Sequence, residues 1–234
     1  MSVVDSIRRT LVPVHREGIP FIAAFAIAGI VFGLIWPLSL ILFVPLTLWC
    51  AYFFRDPARV TPADPALVIA PADGRIVAVG SVPVPAELAE MGLQTAVRVC
   101  IFMNVFDCHV NRAPVAGPVR SQVYIPGVFV NAELDKASAA NERNALVIET
   151  ETGPVGVVQI AGLVARRIVS FTKTGEALQV GDRFGLIRFG SRLDVYIPEP
   201  AAIRVAVGQR TIAGETILAN RGDGALPIEK FLRS

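Results

Sequence analysis

The chain has 234 residues, of which 53% are hydrophobic and 18% charged, which is apolar for an ordinary soluble domain. Its net charge of +2, without a Lys/Arg run interleaved with aromatic residues, excludes a typical nucleic-acid-binding protein. The three cysteines form no CxxC pair and are odd in number, which argues against a disulfide framework and favours a reducing, cytosolic face. The two histidines, His15 and His109, lie in no cluster with metal-ligand spacing, so no metal is expected.

Residues 1–54 are predicted to form a membrane-associated segment. Residues 1–19 place basic side chains among apolar ones, which fits either a short amphipathic helix on a membrane surface or a solvated terminus. From Phe21 to Phe54 there is no charged residue, and Trp36-Pro37 divides this run into apolar halves slightly shorter than the ~20 residues of a spanning helix. The run is too long for a signal peptide, and a buried pair of core helices is the weaker interpretation.

Arginines flank this apolar run on both sides, which bears on how it meets the bilayer. Positive charge on both sides predicts a helical hairpin with both ends in the cytoplasm, either spanning the bilayer or dipping into it. A phospholipid membrane is therefore an expected partner. The flanking arginines are Arg8, Arg9 and Arg16 before the run, and Arg55 and Arg59 after it.

Beyond Phe54 the chain becomes polar and proline-rich, and then alternates short β-type runs with Gly, Pro, Asn and Asp. This pattern predicts a β-rich domain over residues 55–234, with one short helix at Pro85–Met91. The fold class is thus predicted to be mainly β, with a barrel–sandwich-like core preceded by a hydrophobic helical hairpin. The predicted strands are Leu67–Ala70, Arg75–Val79, Ala96–Met103, Val119–Ile125, Ala145–Glu149, Val155–Ile160, Arg167–Thr172, Leu186–Phe189, Leu193–Ile197, Ile203–Val207 and Thr216–Leu218.

A Gly-Ser pair, Gly190-Ser191, joins two of these strands, Leu186–Phe189 and Leu193–Ile197. Glycine has no Cβ, so the Gly190 carbonyl is open to attack by the neighbouring hydroxyl. Transfer of the Gly190 acyl group from nitrogen to oxygen would form an ester. Elimination of that ester would break the chain and leave dehydroalanine, which hydrolyses to a pyruvoyl group and ammonia. A Gly-Ser pair by itself is more typical of a bulge or a turn.

Longer motifs around this pair carry a resemblance to a known family. The run Arg183–Tyr196 resembles the self-cleavage site of phosphatidylserine decarboxylase proenzymes, and Phe102–Pro114 contains that family's Asp-x-His motif at Asp107 and His109. These motifs follow the family's order and span most of the chain after Phe54. The other matching segments, two of them typical of the short bacterial form, are Pro71-Ala72-Asp73-Gly74, Tyr124-Ile125-Pro126-Gly127 and Asn141-Glu142-Arg143-Asn144.

Ser191 needs a base to become a nucleophile, and histidine has a pKa suited to that work near neutrality. His109 is the only histidine outside the amino-terminal segment, and Asp73 could orient its ring as the third member of a triad does. Asp107 either supports His109 or caps a turn. Longer family members carry a second histidine where this chain has Arg112. Either His109 serves both self-cleavage and decarboxylation, or Asp73 and water assist Ser191 more directly.

The resemblance implies an enzyme that cuts itself between residues 190 and 191 and decarboxylates phosphatidylserine to phosphatidylethanolamine. Its cofactor would be a covalent pyruvoyl group derived from Ser191, in place of pyridoxal phosphate and without a metal. His109 would return a proton to the former α-carbon. The large and small chains of one precursor would be partners at a bacterial cytoplasmic membrane, and a homo-oligomer is left open.

Three residues are predicted to bind the substrate. Arg112 is a candidate for the anionic headgroup because guanidinium groups bind phosphate and carboxylate in bidentate fashion. Phe102 and Phe106 could line an apolar pocket around the carboxylate, which would favour its loss as neutral carbon dioxide. Further candidates for the headgroup are Arg166, Arg167, Arg188 and Arg192.

Two other classes of function compete with this interpretation. A membrane-anchored serine hydrolase could use Ser191, His109 and Asp73 without cutting the chain, although the sequence lacks a G-x-S-x-G elbow. A non-catalytic barrel–sandwich module would leave Ser191 without a chemical role. A pyruvoyl decarboxylase of a soluble amino acid is disfavoured, because its substrate gives no reason for the apolar hairpin.

Overall fold

The computed structural model describes residues 12–127, 141–162, 167–188 and 190–222. The chain divides into two compact units, and the division falls between Ala58 and Arg59. The predicted amphipathic helix within residues 1–19 lies largely outside the described residues. The α-helices of the described chain are α1 (Ile19–Ile35), α2 (Leu40–Phe53) and α3 (Ala86–Glu90).

The first unit is a pair of apolar helices, as the sequence predicts. Helix α1 ends at Ile35 because Trp36 adopts an extended conformation ahead of Pro37, and a short 3-10 turn then leads into α2. The two helices approach closely at Gly29, where an added Cβ would lie 3.0 Å from the Cβ of Phe43. Small residues at such a crossing let two apolar helices pack without a polar interface.

Both ends of this hairpin lie side by side. The His15 N–H donates to the Phe54 carbonyl at 2.8 Å, and the Asp56 N–H donates to the Pro13 carbonyl at 2.7 Å. The segment Arg16–Ile35 is long and apolar enough to cross a membrane, whereas the second apolar helix is shorter. The structure therefore confirms the predicted hairpin, and its first helix gives limited support to membrane association.

The second unit is built almost entirely from antiparallel strands. Eight of them form one curled, half-barrel sheet in the order β13-β2-β3-β11-β7-β6-β5-β9, and two three-stranded sheets have the orders β1-β14-β12 and β4-β10-β8. The strands of the described chain are β1 (Leu67–Ile69), β2 (Gly74–Pro83), β3 (Thr95–Met103), β4 (Val110–Arg112), β5 (Gly117–Ile125), β6 (Arg143–Ile148), β7 (Val155–Ala161), β8 (Arg167–Ser170), β9 (Ala177–Leu178), β10 (Arg183–Arg188), β11 (Ser191–Pro198), β12 (Ala202–Ile203), β13 (Arg210–Thr211) and β14 (Ile217–Asn220).

Strand β11 lies between β3 and β7 in the large sheet and pairs with both. Because side chains alternate between the two faces of a strand, Leu193, Val195 and Ile197 all point into the main core, where they are fully buried. The opposite face is covered in part by α3, whose Leu88 packs in a smaller cluster with Tyr196. Both faces of β11 are thus covered, which anchors the strand firmly in the domain.

Glycine is required where the β2 backbone crosses close to β3. A Cβ added to Gly74 would lie 2.2 Å from the carbonyl oxygen of Phe102, a distance that no side chain could occupy without a backbone shift. This contact fixes the turn that carries Asp73 against the large sheet. The predicted fold class, a mainly β core of barrel–sandwich type after an apolar helix pair, is confirmed.

Candidate active site

The Gly190-Ser191 pair lies where the chain passes from one sheet to another. Strand β10 pairs with β4 and β8, whereas β11 pairs with β3 and β7, so the two flanking strands do not pair with each other. Gly190 has a φ of +73°, in the left-handed region that favours glycine. Among the described residues, the one atom that an added Cβ on Gly190 would meet is Val105 Cγ1, at 4.0 Å.

Ser191 is fully buried at the first position of β11, directly opposite Met103 on one side and Ala161 on the other. Its Oγ–H donates to Met103 Sδ at 3.9 Å, the one hydrogen-bond partner of this hydroxyl among the described residues. A thioether sulfur is a weak acceptor, so this long contact holds the hydroxyl only loosely. The Ser191 side chain is therefore able to turn toward another acceptor at little cost.

His109 lies next to this junction with no exposure to solvent. Its Nδ1 is 3.0 Å from the Asp107 carbonyl oxygen, and its Nε2 accepts a hydrogen bond from the Gly190 N–H at 3.3 Å. A carbonyl can only accept, so the ring proton belongs on Nδ1 and Nε2 keeps its lone pair. The pairing of β4 with β10 brings the histidine here, as the Ile187 N–H donates to the His109 carbonyl at 3.4 Å.

Asp107 holds the turn that precedes His109. Its carboxylate accepts from the Asn104 N–H at 2.9 Å and pairs with Arg210. The contact with the His109 ring comes from the Asp107 backbone carbonyl and not from its carboxylate. The turn role proposed for this side chain is therefore confirmed, and the same residue orients the histidine through its main chain.

Asp73 lies in the turn between β1 and β2 and is bound from two sides. Both carboxylate oxygens accept from Arg59, at 2.8 and 2.9 Å, and one also accepts from the Ala213 N–H at 2.8 Å. Within the described part of the chain, His109 is not among its hydrogen-bond partners. The orienting role of Asp73 toward His109 stays a prediction, and Arg59, a basic residue after the hairpin, is the partner that the sequence did not reveal.

Arg112 closes strand β4 beside the same turn. Its backbone N–H donates to the Pro71 carbonyl at 2.9 Å, and its guanidinium donates to the Gly181 carbonyl at 3.0 Å. The side chain is buried, and an added Cβ on Gly214 would lie 3.0 Å from its Cδ. The arginine that replaces the second histidine of longer family members is thus a well-held residue adjacent to the Asp73 turn.

The two candidate phenylalanines occupy different surroundings. Phe102 pairs with Arg192 in the sheet, and since neighbouring residues of a strand point to opposite faces, its side chain points away from the face that Ser191 and Met103 share. Phe106 is on the turn before His109, and 62% of it is exposed. Their predicted contribution to an apolar pocket is untested.

Arg192 makes a buried ion pair on the far face of β11. Its Nε donates to Asp194 Oδ1 at 2.8 Å, and its Nη2 donates to Oδ2 at 2.9 Å. Burial alone would lower the pKa of Arg192, but the charge and hydrogen bonds of Asp194 outweigh burial and raise it. On the same face, burial and the Asp194 charge raise the pKa of the Cys100 thiol. Arg166, another headgroup candidate, lies outside the described residues.

The Gly190 carbonyl oxygen itself accepts a hydrogen bond. The Gly162 N–H, just after β7, donates to the Gly190 oxygen at 3.1 Å. The junction thus combines a loosely held hydroxyl, a histidine whose Nε2 accepts from the Gly190 N–H, and an N–H on the carbonyl that the hydroxyl would attack. Among the described residues, no three His, Cys, Asp or Glu side chains gather in a group that could hold a metal ion.

This arrangement can be compared with known proteins. The family model described as phosphatidylserine decarboxylase matches residues 46–219, which is more than half of the chain. The matched region runs from helix α2 to strand β14 and includes Asp73, His109 and the Gly190-Ser191 pair. The chain therefore belongs to the phosphatidylserine decarboxylase family.

Proposed function

We propose that the chain matures by cutting itself between Gly190 and Ser191, and that it then decarboxylates phosphatidylserine with a pyruvoyl group derived from Ser191. Family membership establishes that the protein is an enzyme of phosphatidylserine decarboxylation. The self-cleavage is supported chiefly by one observation, the placement of His109 Nε2 3.3 Å from the nitrogen of Gly190, the residue that precedes Ser191. Glycine has no Cβ, so the Gly190 carbonyl is open to attack by the Ser191 hydroxyl.

The proposed maturation begins when the Ser191 hydroxyl leaves Met103 Sδ and attacks the Gly190 carbonyl carbon. As the Oγ–C bond forms, His109 Nε2 gives up its hydrogen bond from the Gly190 N–H and takes the hydroxyl proton, and the carbonyl electron pair moves onto the Gly190 oxygen. When that pair returns, the C–N bond between the two residues breaks and the Ser191 nitrogen takes the proton from His109. The product is an ester that joins the Gly190 acyl group to Ser191 Oγ.

Elimination completes the cut. A base takes the Ser191 Cα proton and the electron pair left on Cα forms the double bond to Cβ, so the Cβ–Oγ bond breaks and leaves Gly190 as a carboxylate and residue 191 as dehydroalanine. The dehydroalanine rearranges to an imine, and water releases ammonia to give the pyruvoyl group. The large chain then ends at residue 190 and the small chain begins at residue 191.

The surroundings of residue 191 fit such a group. Position 191 is the first residue of β11, buried and paired with Met103 and Ala161 of the large chain. The rest of β11 stays paired with β3 and β7 after the cut, so the large and small chains remain associated as partners. A pyruvoyl group at this position supplies a carbonyl electron sink for the electron pair left when carbon dioxide departs.

The chain's own residues have separable tasks in this proposal. His109 Nε2, which takes a proton during maturation, holds the proton that is returned to the former α-carbon of the substrate. Asp73 and Arg59 form a fixed ion pair at one side of the turn, and Arg112 provides positive charge beside it for the anionic headgroup. Phe106, exposed on the turn before His109, contributes apolar surface.

The membrane is proposed as the place of action. The substrate is a lipid, and α1 together with its preceding turn is long and apolar enough to cross a bilayer. Because the ends of the hairpin are joined by backbone hydrogen bonds, both emerge on one side, and flanking arginines favour the cytoplasmic side. We therefore place the enzyme on the cytoplasmic face of the bacterial membrane, either as one copy or as a homo-oligomer.

The test compares the purified wild-type chain with Ser191→Ala by intact mass spectrometry. We expect the wild type to be cut after residue 190, with a blocked, hydrazine-reactive small chain, and Ser191→Ala to stay intact and inactive on phosphatidylserine in mixed micelles. Ser121→Ala, which removes a half-buried hydroxyl from β5, is the matched control and should be cut normally. An intact but active wild-type chain would overturn the pyruvoyl mechanism, and hydrolysis of a lipid ester by that intact chain would favour the serine hydrolase. A Ser191→Ala variant unchanged in every assay would favour the binding module.

A further inference from the structure

One peptide group contacts the carbonyl oxygen of Gly190 and is itself held by a buried side chain. The N–H of the Ala161–Gly162 peptide donates to the Gly190 oxygen at 3.1 Å. The carbonyl of the same peptide accepts from Asn141 Nδ2 at 2.6 Å. Because a peptide group is planar and trans, its N–H and C=O point in opposite directions. Asn141 and the Gly190 carbonyl thus bind opposite sides of one planar peptide group, the Ala161–Gly162 peptide.

The Ala161–Gly162 peptide is also held by the hydrogen bonds of strand β7. Ala161 is the last residue of β7 and lies directly opposite Ser191. The Ala161 N–H donates to the Glu142 carbonyl at 2.9 Å, so Asn141 and its neighbour each hold one side of Ala161. Asn141 has no solvent-accessible surface. A buried amide with a short hydrogen bond has little freedom, and it limits the rotation of the peptide that it holds.

Charge develops on the Gly190 oxygen during the proposed self-cleavage. When Ser191 Oγ bonds to the carbonyl carbon, the electron pair of the carbonyl moves onto this oxygen and makes it an oxyanion. A donor that is already aimed at such an oxygen stabilises the transition state without having to reorganise. A hydrogen bond accepted at the carbonyl of the donor peptide also polarises that peptide and strengthens its N–H as a donor.

We propose that the Gly162 N–H is the oxyanion donor for self-cleavage and that Asn141 is the residue that positions it. This inference rests on the proposed function, since it concerns the same Gly190-Ser191 bond. His109 has a different task in the proposed function: its Nε2, which accepts from the Gly190 N–H in the uncut chain, gives up that hydrogen bond and receives the hydroxyl proton. Asn141, the first residue of the Asn141-Glu142-Arg143-Asn144 segment, thereby gains a chemical role at the cleavage site.

The experiment follows the rate of self-cleavage of the full chain in Asn141→Asp and Asn141→Ala, by gel and intact mass. Removal of one oxyanion donor slows catalysis about 10²–10³-fold, and for loss of its positioning we expect a slowing of about 10–100-fold. Asn144→Ala is the matched control: this nearby asparagine is also buried, but it bonds to Gln159 and Gln122. Its cleavage rate should stay within about threefold of the wild type, as expected for a side chain that does not touch the reacting atoms.

A second readout separates positioning from a general loss of structure. Hydroxylamine cleaves an ester, so it would release the fragments if a variant still formed the ester but failed to eliminate it. Hydroxylamine should not speed the cutting of slow Asn141 variants, because the acyl shift itself is the step that is slowed. Thermal melting of each variant in the uncleavable Ser191→Ala background measures folding separately. Gly162→Pro, which removes the N–H directly, should be at least as slow as the Asn141 variants, whereas Gly162→Ala should be faster than Gly162→Pro.

The outcomes distinguish this inference from the proposed function. A wild-type chain that is never cut overturns both. A wild type that is cut, with Asn141 variants cut at the same rate, overturns the inference alone. Hydroxylamine release from the Asn141 variants, or an equal slowing in Asn144→Ala with an equal loss of melting temperature, also overturns the inference. Slow, hydroxylamine-resistant Asn141 variants that melt like the Ser191→Ala parent support it.

Discussion

The buried ion pair on β11 predicts a large and specific loss of stability. Arg192 and Asp194 are two residues apart on one strand face, with 1% and 0% of their surfaces exposed, and two hydrogen bonds of 2.8 and 2.9 Å join them. Replacing Arg192 by leucine leaves the Asp194 carboxylate buried without its principal partner. We expect this variant to lose about 3–5 kcal/mol of unfolding free energy, the range for breaking one side of a buried pair.

The magnitude follows from two opposing effects. At an effective dielectric constant of about 20, charges about 4 Å apart attract by about 4 kcal/mol, and the desolvation of each ion opposes this by several kcal/mol. Removing one charge abolishes the attraction, but the remaining ion still carries the unfavourable free energy of its desolvation. The double variant Arg192→Leu/Asp194→Leu loses the attraction between the charges but also the desolvation cost of both ions. It should therefore regain most of the stability.

The assay is urea unfolding of variants made in the intact Ser191→Ala chain in detergent. It is followed by circular dichroism, because both tryptophans, Trp36 and Trp49, lie in the helical hairpin and would not report on the sheet. A single variant within about 1 kcal/mol of the parent would refute this reasoning, as would a double variant less stable than Arg192→Leu. In the first case Arg192 would again be a candidate for the headgroup.

Three further predictions concern backbone geometry and a buried thiol. Gly74→Ala should destabilise the chain by about 1–3 kcal/mol in the same unfolding assay because of the clash with the Phe102 carbonyl, whereas Gly80→Ala on the same strand, with nothing within 4 Å, should cost less than about 1 kcal/mol. Gly190→Ala should slow self-cleavage, measured by gel, because the +73° φ costs a side chain about 1–2 kcal/mol; a normal rate would show that the glycine is dispensable. Burial and Asp194 raise the pKa of Cys100 above its ordinary 9.0, so the stability it contributes is present below pH 9 and is lost as the pH rises further. The melting temperature should therefore fall less from about pH 8 to about pH 10.5 in Cys100→Ala than in the parent, and equal falls would contradict the assignment.

Local patterns were enough to establish several features of this protein. A run without charges predicts apolar helices wherever it occurs, and Trp36-Pro37 breaks the run in two, so the hairpin follows from the sequence alone. Short β-type runs between turn residues likewise predict a mainly β domain, because strand and turn preferences act over a few residues. The motifs around Gly190-Ser191 identified the family through the side chains that its chemistry needs.

The pairing of strands could not be predicted in the same way. A Gly-Ser junction between two apolar runs is compatible with a hairpin, yet β10 and β11 belong to different sheets. Strand β4 was missed because three residues carry too little pattern, and it is the strand that brings His109 to the junction. Phe102 was predicted to line an apolar pocket around the substrate carboxylate, which stays a prediction. The strand register, which the sequence does not show, puts Met103 and not Phe102 on the face of Ser191.

The sequence by itself therefore determined the hairpin, the β-rich class and the family. Only the tertiary structure decided that Asp73 is bound by Arg59, that His109 presents Nε2 to Gly190, and that the Gly162 N–H bonds to the Gly190 oxygen. The physical reason is that local preferences act within a few residues, whereas these contacts join segments far apart in the chain. Such contacts depend on strand register, in which a shift of one residue turns every side chain to the other face.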